Sequence, residues 1–331
     1  MTTALNPPQV LGLARAFMES RILISGAELD LYTVLADQAL TAEEAAGKTG
    51  CLVRPLTVLL DALAALGLLV KEDGRYRTEE ALVPLLSSTS PSSVLPMILH
   101  AGSLWRRWSN LTEVVHQTGP PERSPGRFED PEALRAFIGA MHVVGAPQAA
   151  QVVAEIGSGT ARKLLDVGGA SGTYTMAFLN ASPGMTATLF DRPEVVAMAG
   201  ERLARAGYLD RVTLVAGDFY EEELPAGHDL ALLSAIIHQN GPGQNLELFR
   251  KVHRALEPGG RIVIRDHVMK PDRTQPKSGA VFAINMLVGT PAGGTYTFEE
   301  IRAWLEVAGF VRVRLLAEGE PMRGLVEAFK P

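Results

Sequence analysis

Residues 164–174, Leu-Leu-Asp-Val-Gly-Gly-Ala-Ser-Gly-Thr-Tyr, constrain this chain more than any other stretch. An apolar run with one acid, Asp166, leads into a turn crowded with small residues, and a helical pattern follows to Leu179. A strand entering such a turn can bring bare backbone against a ligand, because glycine lacks the Cβ that would hold it off. Strand–glycine turn–helix units of this kind bind nucleotides. A dinucleotide template, G-x-G-x-x-G from Gly168, would need glycine at 170 and 173, where the chain has Ala170 and Thr173. The template with a preceding acid, [DE]-x-G-x-[GA]-x-G, is met by Asp166, Gly168, Ala170 and Gly172.

From residue 163 onward, strand and helix patterns alternate. Strands are expected at 163–167, 187–191, 212–216, 230–234 and 261–266, with helices at 174–179, 194–206 and 246–255. Pro258-Gly259-Gly260 reads as the turn before the fifth strand. The alternation predicts an α/β fold with a doubly wound, mostly parallel sheet. A further helix at 297–308, capped by Thr297 with Glu300 three residues on, precedes a terminal antiparallel strand pair at 311–315 and 325–329. Asp191 closes the second strand, where a carboxylate accepts both hydroxyls of a ribose. Asp218 closes the third, placed to accept from an adenine amino group with Phe219 against the ring. Three acids at three successive strand ends are more than turn-capping requires.

The N-terminal third is organised differently. Apolar residues recur at helical spacing from Leu11 to Leu35, and Thr41 with Glu44 forms a capping box for a short helix. A leucine-rich helix from Val53 ends near Gly67, and Asp73-Gly74 marks a hairpin between two short strands. Helices followed by a hairpin give a winged-helix order. Between Ala27 and Glu80, however, five basic side chains face ten acidic ones, the wrong sign for binding phosphates. A dimerisation role is therefore expected, with the apolar N-terminal helix as the subunit interface. Helices at 103–116 and 131–144 are joined by a Pro/Gly/Arg-rich loop at 118–127 and carry Trp105, Trp108, Phe137 and Met141. The expected domains are 1–100 for dimerisation, 101–155 as linking helices along a substrate pocket, and 156–331 for the ligand-binding sheet.

Composition excludes several classes. With 331 residues, 47% hydrophobic and net charge −6, the chain has the makings of a globular core and is no general polyanion binder. One cysteine, Cys51, excludes an intrachain disulfide framework and multi-cysteine metal sites. Residues 1–10 lack the basic start and apolar run of a signal peptide, and no apolar stretch is expected to reach membrane-spanning length without a charge. The expectation is a cytoplasmic protein without a metal, a nucleic-acid partner or a membrane anchor.

Asp166-Val-Gly-Gly-Ala-Ser-Gly172, Gly217-Asp218-Phe219, His238 after the fourth strand and Pro258-Gly-Gly260 together resemble S-adenosylmethionine-dependent O-methyltransferases. The likeness, to caffeate-type, acetylserotonin-type and bacterial small-molecule enzymes, spans nearly the full length. It implies a Rossmann-like catalytic domain behind a winged-helix dimerisation domain, a homodimer, and S-adenosylmethionine as cofactor with S-adenosylhomocysteine as product. By resemblance, Gly168 and Gly172 approach the cofactor's amino-acid portion, Asp191 its ribose, and Asp218 with Phe219 its adenine. Ser234 stands where relatives carry a lysine or serine near the cofactor.

The resemblance also places His238 as the general base toward a small-molecule hydroxyl, phenolic by expectation, and Asp266 as its orienting partner. Relatives follow the histidine with Asp-Trp, whereas this chain has Gln239-Asn240. A second flanking acid of relatives falls near residues 293–296, where Thr295 or Tyr296 stands instead. Trp105, Met141, Asn285, Met286, Thr290 and Tyr296 are the expected substrate contacts. His253 reads as a helix-surface residue and His267 as a strand neighbour. Two alternatives stay open: a relative acting on carbon or sulfur or without methyl transfer, and a winged-helix regulator that senses the cofactor.

Overall fold

A computed structural model describes residues 4–116 and 130–331, so the expected 118–127 loop lies outside the described residues. The chain divides into two compact units, residues 1–106 with 130–143, and residues 107–129 with 144–331.

The N-terminal unit begins with α1 (Pro7–Arg15), α2 (Phe17–Glu28) and α3 (Leu31–Val34), in place of the continuous periodic stretch expected from Leu11 to Leu35. Asp30 breaks the run by adopting a left-handed φ of 50°, which a short polar side chain tolerates better than most. The Thr41–Glu44 capping box opens α4 (Ala42–Thr49) with both reciprocal bonds made. Then come α5 (Val53–Ala65) and the hairpin β1 (Leu69–Glu72) and β2 (Arg75–Thr78). Leu31, Leu35, Leu60, Leu63 and Tyr76 are fully buried in the core of this helix–helix–helix–hairpin unit. In contrast, α1 buries nothing, and Leu11, Leu13, Phe17 and Met18 are about half exposed or more. After α6 (Val83–Leu86), α7 (Leu95–Trp108) and α8 (Leu111–His116) divide the single helix expected at 103–116. The 26-residue α9 (Pro131–Ile156) runs well past the expected end at residue 144. Among the described residues it alone is long and apolar enough to cross a membrane by length and composition, a test that buried helices also pass. Its later part packs Ala149, Val152, Val153 and Ile156 into the core of the C-terminal unit.

The C-terminal unit alternates as expected: β3 (Lys163–Val167), α10 (Thr173–Ala181), β4 (Thr186–Asp191), α11 (Pro193–Arg205), β5 (Val212–Ala216), β6 (His228–Ser234), α12 (Pro242–Ala255) and β7 (Leu256–Asp266). Short β8 (Val268–Met269), α13 (Lys277–Gly289), β9 (Tyr296–Thr297), α14 (Phe298–Val307), β10 (Val311–Ala317) and β11 (Gly324–Phe329) follow. The seven-stranded sheet runs β10-β11-β7-β6-β3-β4-β5, with β3 to β7 parallel and β10 and β11 antiparallel. The Pro258-Gly259-Gly260 turn is drawn into β7 as an irregularity between the pairs His228↔Leu256 and Leu230↔Arg261. Leucine, valine and isoleucine fill both faces of the parallel strands, as a sheet covered by helices on two sides requires. Strand order reverses at β3 and β6, so the crevice beyond their carboxyl ends is where an open α/β sheet binds its ligand.

The antiparallel pair is fixed by buried charge. Glu327 on β11, 2% exposed, accepts from Arg261 Nη1 at 3.0 Å and from Arg314. The Arg261 guanidinium also donates to the carbonyls of Ile156 and Gly157, so one cluster ties β7, β10 and β11 to the end of α9. Removing one partner of a buried charge cluster strands the other, at a cost of about 3–5 kcal/mol. Glu327→Ala is therefore expected to lower the urea midpoint and the Tm sharply, whereas Glu327→Gln keeps part of the stability.

Candidate active site

The glycine turn closes because its backbone donors are met from the neighbouring strand. Gly168 N–H donates to Phe190 O at 2.8 Å, and Ala170 N–H donates to Asp191 Oδ2 at 2.8 Å. Gly168 has φ of 70°, a conformation that favours glycine, and a Cβ there would also push Ile236 Cδ1 aside. Ala170 holds a left-handed φ of 48° without that freedom, a strained conformation of the kind found at ligand sites. Gly172, also left-handed, caps the start of α10.

Three carboxylates gather along the carboxyl edge of adjacent strands β3, β4 and β5. Asp166, 2% exposed, accepts from Thr175 Oγ1 at 2.6 Å. Burial pushes its pKa up to about 6, and the charge of Asp191 adds to the rise. Asp191 ends β4 and also accepts from Arg192 N–H at 2.8 Å. Burial raises its pKa as well; hydrogen bonds from Ala170 and Arg192 oppose this, and Asp218 adds to it. Asp218 lies two residues past the end of β5 rather than at its end, in a turn where Tyr220 N–H donates to its Oδ1 at 2.9 Å. Phe219 is half-buried, and its ring lies within 3.9 Å of where a Gly168 Cβ would stand. Carboxylates gathered in this way, with the charge of Asp191 raising the pKa of Asp166 and that of Asp218 raising the pKa of Asp191, favour a ligand bringing cationic groups and hydroxyl or amino donors. A sulfonium-bearing adenosine with an ammonium on its tail has that chemistry, and these residues fit it.

His238 sits beyond β6, which ends at Ser234, on a single tight turn, Ile237–Gln239. Its Nδ1 stands 2.9 Å and 3.0 Å from the two oxygens of Asp266, the last residue of β7. A carboxylate can only accept, so Nδ1 carries the proton and Nε2 is left with its lone pair. Asp266 is 1% exposed and also accepts from His267 N–H at 2.8 Å. Burial pushes its pKa upward, but the charge and hydrogen bond of His238 and the His267 N–H outweigh this and hold it low. The Phe282 ring meets His238 edge-on at 4.8 Å and stacks at a tilt on His267, also at 4.8 Å.

The departures from the expected pattern are linked in space. Asn240, fully buried, donates from Nδ2 to Asn245 Oδ1 at 3.0 Å and accepts from the Tyr220 hydroxyl. Asn245 in turn donates to Ile237 O at 2.9 Å, and the Tyr296 hydroxyl donates to Asn240 O. Tyr296, one of the two residues standing where the resemblance led to an acid being expected, thus holds Asn240 of the Gln239-Asn240 pair, and Asn245 braces the His238 turn through Ile237 O. Lys251, 6% exposed, gives its ammonium to the carbonyls of Phe219, Tyr220 and Glu222 at 2.8–3.1 Å, pinning the loop that carries Asp218. Neither the amide network nor Lys251 was legible in the sequence, since nothing local marks a buried Asn or Lys.

The remaining expected residues spread out. Trp108 Nε1–H donates to Asn285 Oδ1 at 3.2 Å, and Asn285 and Met286 share the α13 face of Phe282, three and four residues on. The Thr290 hydroxyl is occupied by Met286 O and Gly293 N–H. Trp105, 5.9 Å from Phe17, and Met141 belong to the N-terminal unit. Ser234 Oγ accepts from Arg265 at 3.4 Å. His253 is half-buried edge-on to Phe310, not a surface residue. Among the described residues, no group of three His, Cys, Asp or Glu could hold a metal ion.

The family model of the O-methyltransferase domain matches residues 124–311, and that of the O-methyltransferase dimerisation domain matches 11–88. The chain belongs to the O-methyltransferase family. It is 33% identical to the 3-hydroxy-5-methyl-1-naphthoate 3-O-methyltransferase of Streptomyces sahachiroi, over 98% of this chain and 95% of that protein. It is 34% identical to TcmO, the tetracenomycin polyketide synthesis 8-O-methyl transferase of Streptomyces glaucescens, over 96% and 95%. The solved structure of PigF with SAH matches with a TM-score of 0.89 at 26% identity, over 98% of this chain and 100% of that one. The methyltransferase therefore uses S-adenosylmethionine, carries a dimerisation domain, and acts on small-molecule metabolites.

Asp166 gives the site a pH signature in the absence of cofactor. Folding raises its pKa from 3.8 to about 6, so its contribution to stability is full below pH 3.8 and is lost as pH rises through 6. Asp166→Asn cannot ionise. Relative to wild type, the variant is expected to gain about 1.5 kcal/mol between pH 5 and pH 8. Thermal melts of the cofactor-free protein across that range would read this gain, and a difference independent of pH would contradict the assignment.

Proposed function

We propose that this methyltransferase methylates a phenolic hydroxyl of a small aromatic metabolite, with His238 as general base and Asp266 holding it in the required tautomer. The observation carrying this reading is the paired contact of His238 Nδ1 with a fully buried carboxylate, which leaves Nε2 free to accept a proton. When bound, S-adenosylmethionine supplies a methyl group on a sulfonium, open to in-line attack. The enzyme's share is to hold the acceptor in line, take the hydroxyl proton onto His238 Nε2 and exclude water. Asp266 then stabilises the imidazolium. The edge-on Phe282 ring limits imidazole rotation, and the side chain is only 12% exposed. The names of two relatives support a hydroxyl acceptor, since one is a 3-O- and the other an 8-O-methyltransferase acting on aromatic or polyketide compounds.

In the same reading, Gly168 and Gly172 approach the amino-acid portion of the cofactor, Asp191 accepts from the ribose, and Asp218 and Phe219 contact the adenine. Asn285 and Met286 meet the acceptor. The exposed apolar stripe of α1 and early α2 buries against a second copy.

His238→Ala is expected to lower kcat for a phenol by about 10²–10⁴-fold while leaving S-adenosylhomocysteine affinity nearly unchanged. Full turnover by this variant on its true substrate would remove the general-base role. Asp266→Asn, which permits the wrong tautomer, should lose a comparable factor. Light scattering at micromolar concentration should give about twice the 35.5 kDa chain mass, and Phe17→Glu with Leu13→Glu should halve it.

A further inference from the structure

Arg265 is the penultimate residue of β7 and only 3% exposed. Its register partners are Ser234 at the end of β6 and Leu325 on β11, and strand alternation puts its side chain on the sheet face opposite Asp266. There the guanidinium stands 5.1 Å from the centre of the Tyr174 ring. Its one hydrogen bond among the described residues is the long 3.4 Å contact from Nη1 to Ser234 Oγ. Nε is buried with no partner, and so is the hydroxyl of Tyr174, whose ring the guanidinium faces. Asp266, an acid whose charge reaches it, is engaged by His238 and His267 on the other face. Arg261, four residues earlier on the same face, has Glu327 as its counter-ion.

Arginine remains charged even when buried, and a buried charge without a counter-ion is costly. The position of this one indicates what neutralises it. Tyr174 lies in the first turn of α10, two residues past Gly172, and Ser234 ends β6. The guanidinium therefore touches both sides of the crevice at β3 and β6, while the acid-lined edge runs the other way along β4 and β5. We propose that Arg265 binds the α-carboxylate of the cofactor's amino-acid tail, with the Tyr174 hydroxyl as a second donor. The planar fork of N–H groups matches a carboxylate in two-point contact. Opposite charges are thereby divided between the two ends of the site: carboxylates toward the ribose and adenine, one arginine at the tail. The proposal rests on the cofactor lying along the glycine turn.

Calorimetric titration with two ligands tests it. S-adenosylhomocysteine carries the tail carboxylate; 5′-deoxy-5′-methylthioadenosine keeps the adenosine and thioether but lacks it. Arg265→Met should bind S-adenosylhomocysteine roughly 30-fold or more weakly while binding methylthioadenosine within about threefold of wild type. Arg265→Lys should recover part of the loss. Removing the unpaired charge should also raise the Tm of the cofactor-free protein and shrink the Tm rise caused by S-adenosylhomocysteine. Wild-type affinity of Arg265→Met for S-adenosylhomocysteine would overturn the proposal. Equal losses for both ligands would also overturn it, by assigning Arg265 a structural role. If wild type bound neither ligand, the placement of the cofactor would fall, and the proposal with it.

Discussion

A parallel sheet that reverses its strand order leaves one crevice at its carboxyl edge, and everything functional in this chain depends on that reversal. The glycine turn after β3 and the His238 turn after β6 follow neighbouring strands, so bare backbone, acids and an imidazole gather along one edge of the sheet. The acids along β4 and β5 repel one another, yet their backbone donors hold them in place: Asp191 is fixed by the Ala170 and Arg192 N–H groups and Asp218 by that of Tyr220. Hydrogen bonds therefore stabilise an arrangement that Coulomb repulsion opposes. A site built this way favours a ligand that supplies positive charge.

Much of this was legible in the sequence because it rests on local pattern. The five parallel strands appear where alternation placed them: β3 and β5 keep the expected bounds, and β4, β6 and β7 only begin earlier, because strand starts are set by pairing rather than by composition. Capping boxes at Thr41 and Thr297 formed as their spacing required. The meeting of His238 and Asp266 was also legible, though only through likeness to a family, since 28 residues separate them. Periodicity misled where one residue changed the backbone: Asp30 in the left-handed region splits a continuous apolar pattern into separate helices.

What the sequence hid were long-range polar partnerships. Asn240, Asn245, Tyr220 and Tyr296 come from separate segments, and nothing in any one predicts the shared network. Its effect is to carry the His238 turn on buried amide and hydroxyl bonds. An amide donates and accepts without charge, so the turn is held without placing another carboxylate near Asp266 and shifting its pKa. The His238 imidazole then meets one acid, Asp266, itself held low by His238 and the His267 N–H.

Several buried charges among the described residues are matched inside the protein. Glu327 has two arginines, Lys251 has three carbonyls, and Asp266 has a histidine. Arg265 departs from that pattern, its Nε without a partner, and it lies at the crevice between β3 and β6. In a low-dielectric interior, such mismatches weaken the empty protein and strengthen its grip on a ligand that corrects them. On the proposal for Arg265, the stability given up without cofactor reappears as affinity, which is a physical reason for an unpaired charge to stand at the sheet's carboxyl edge.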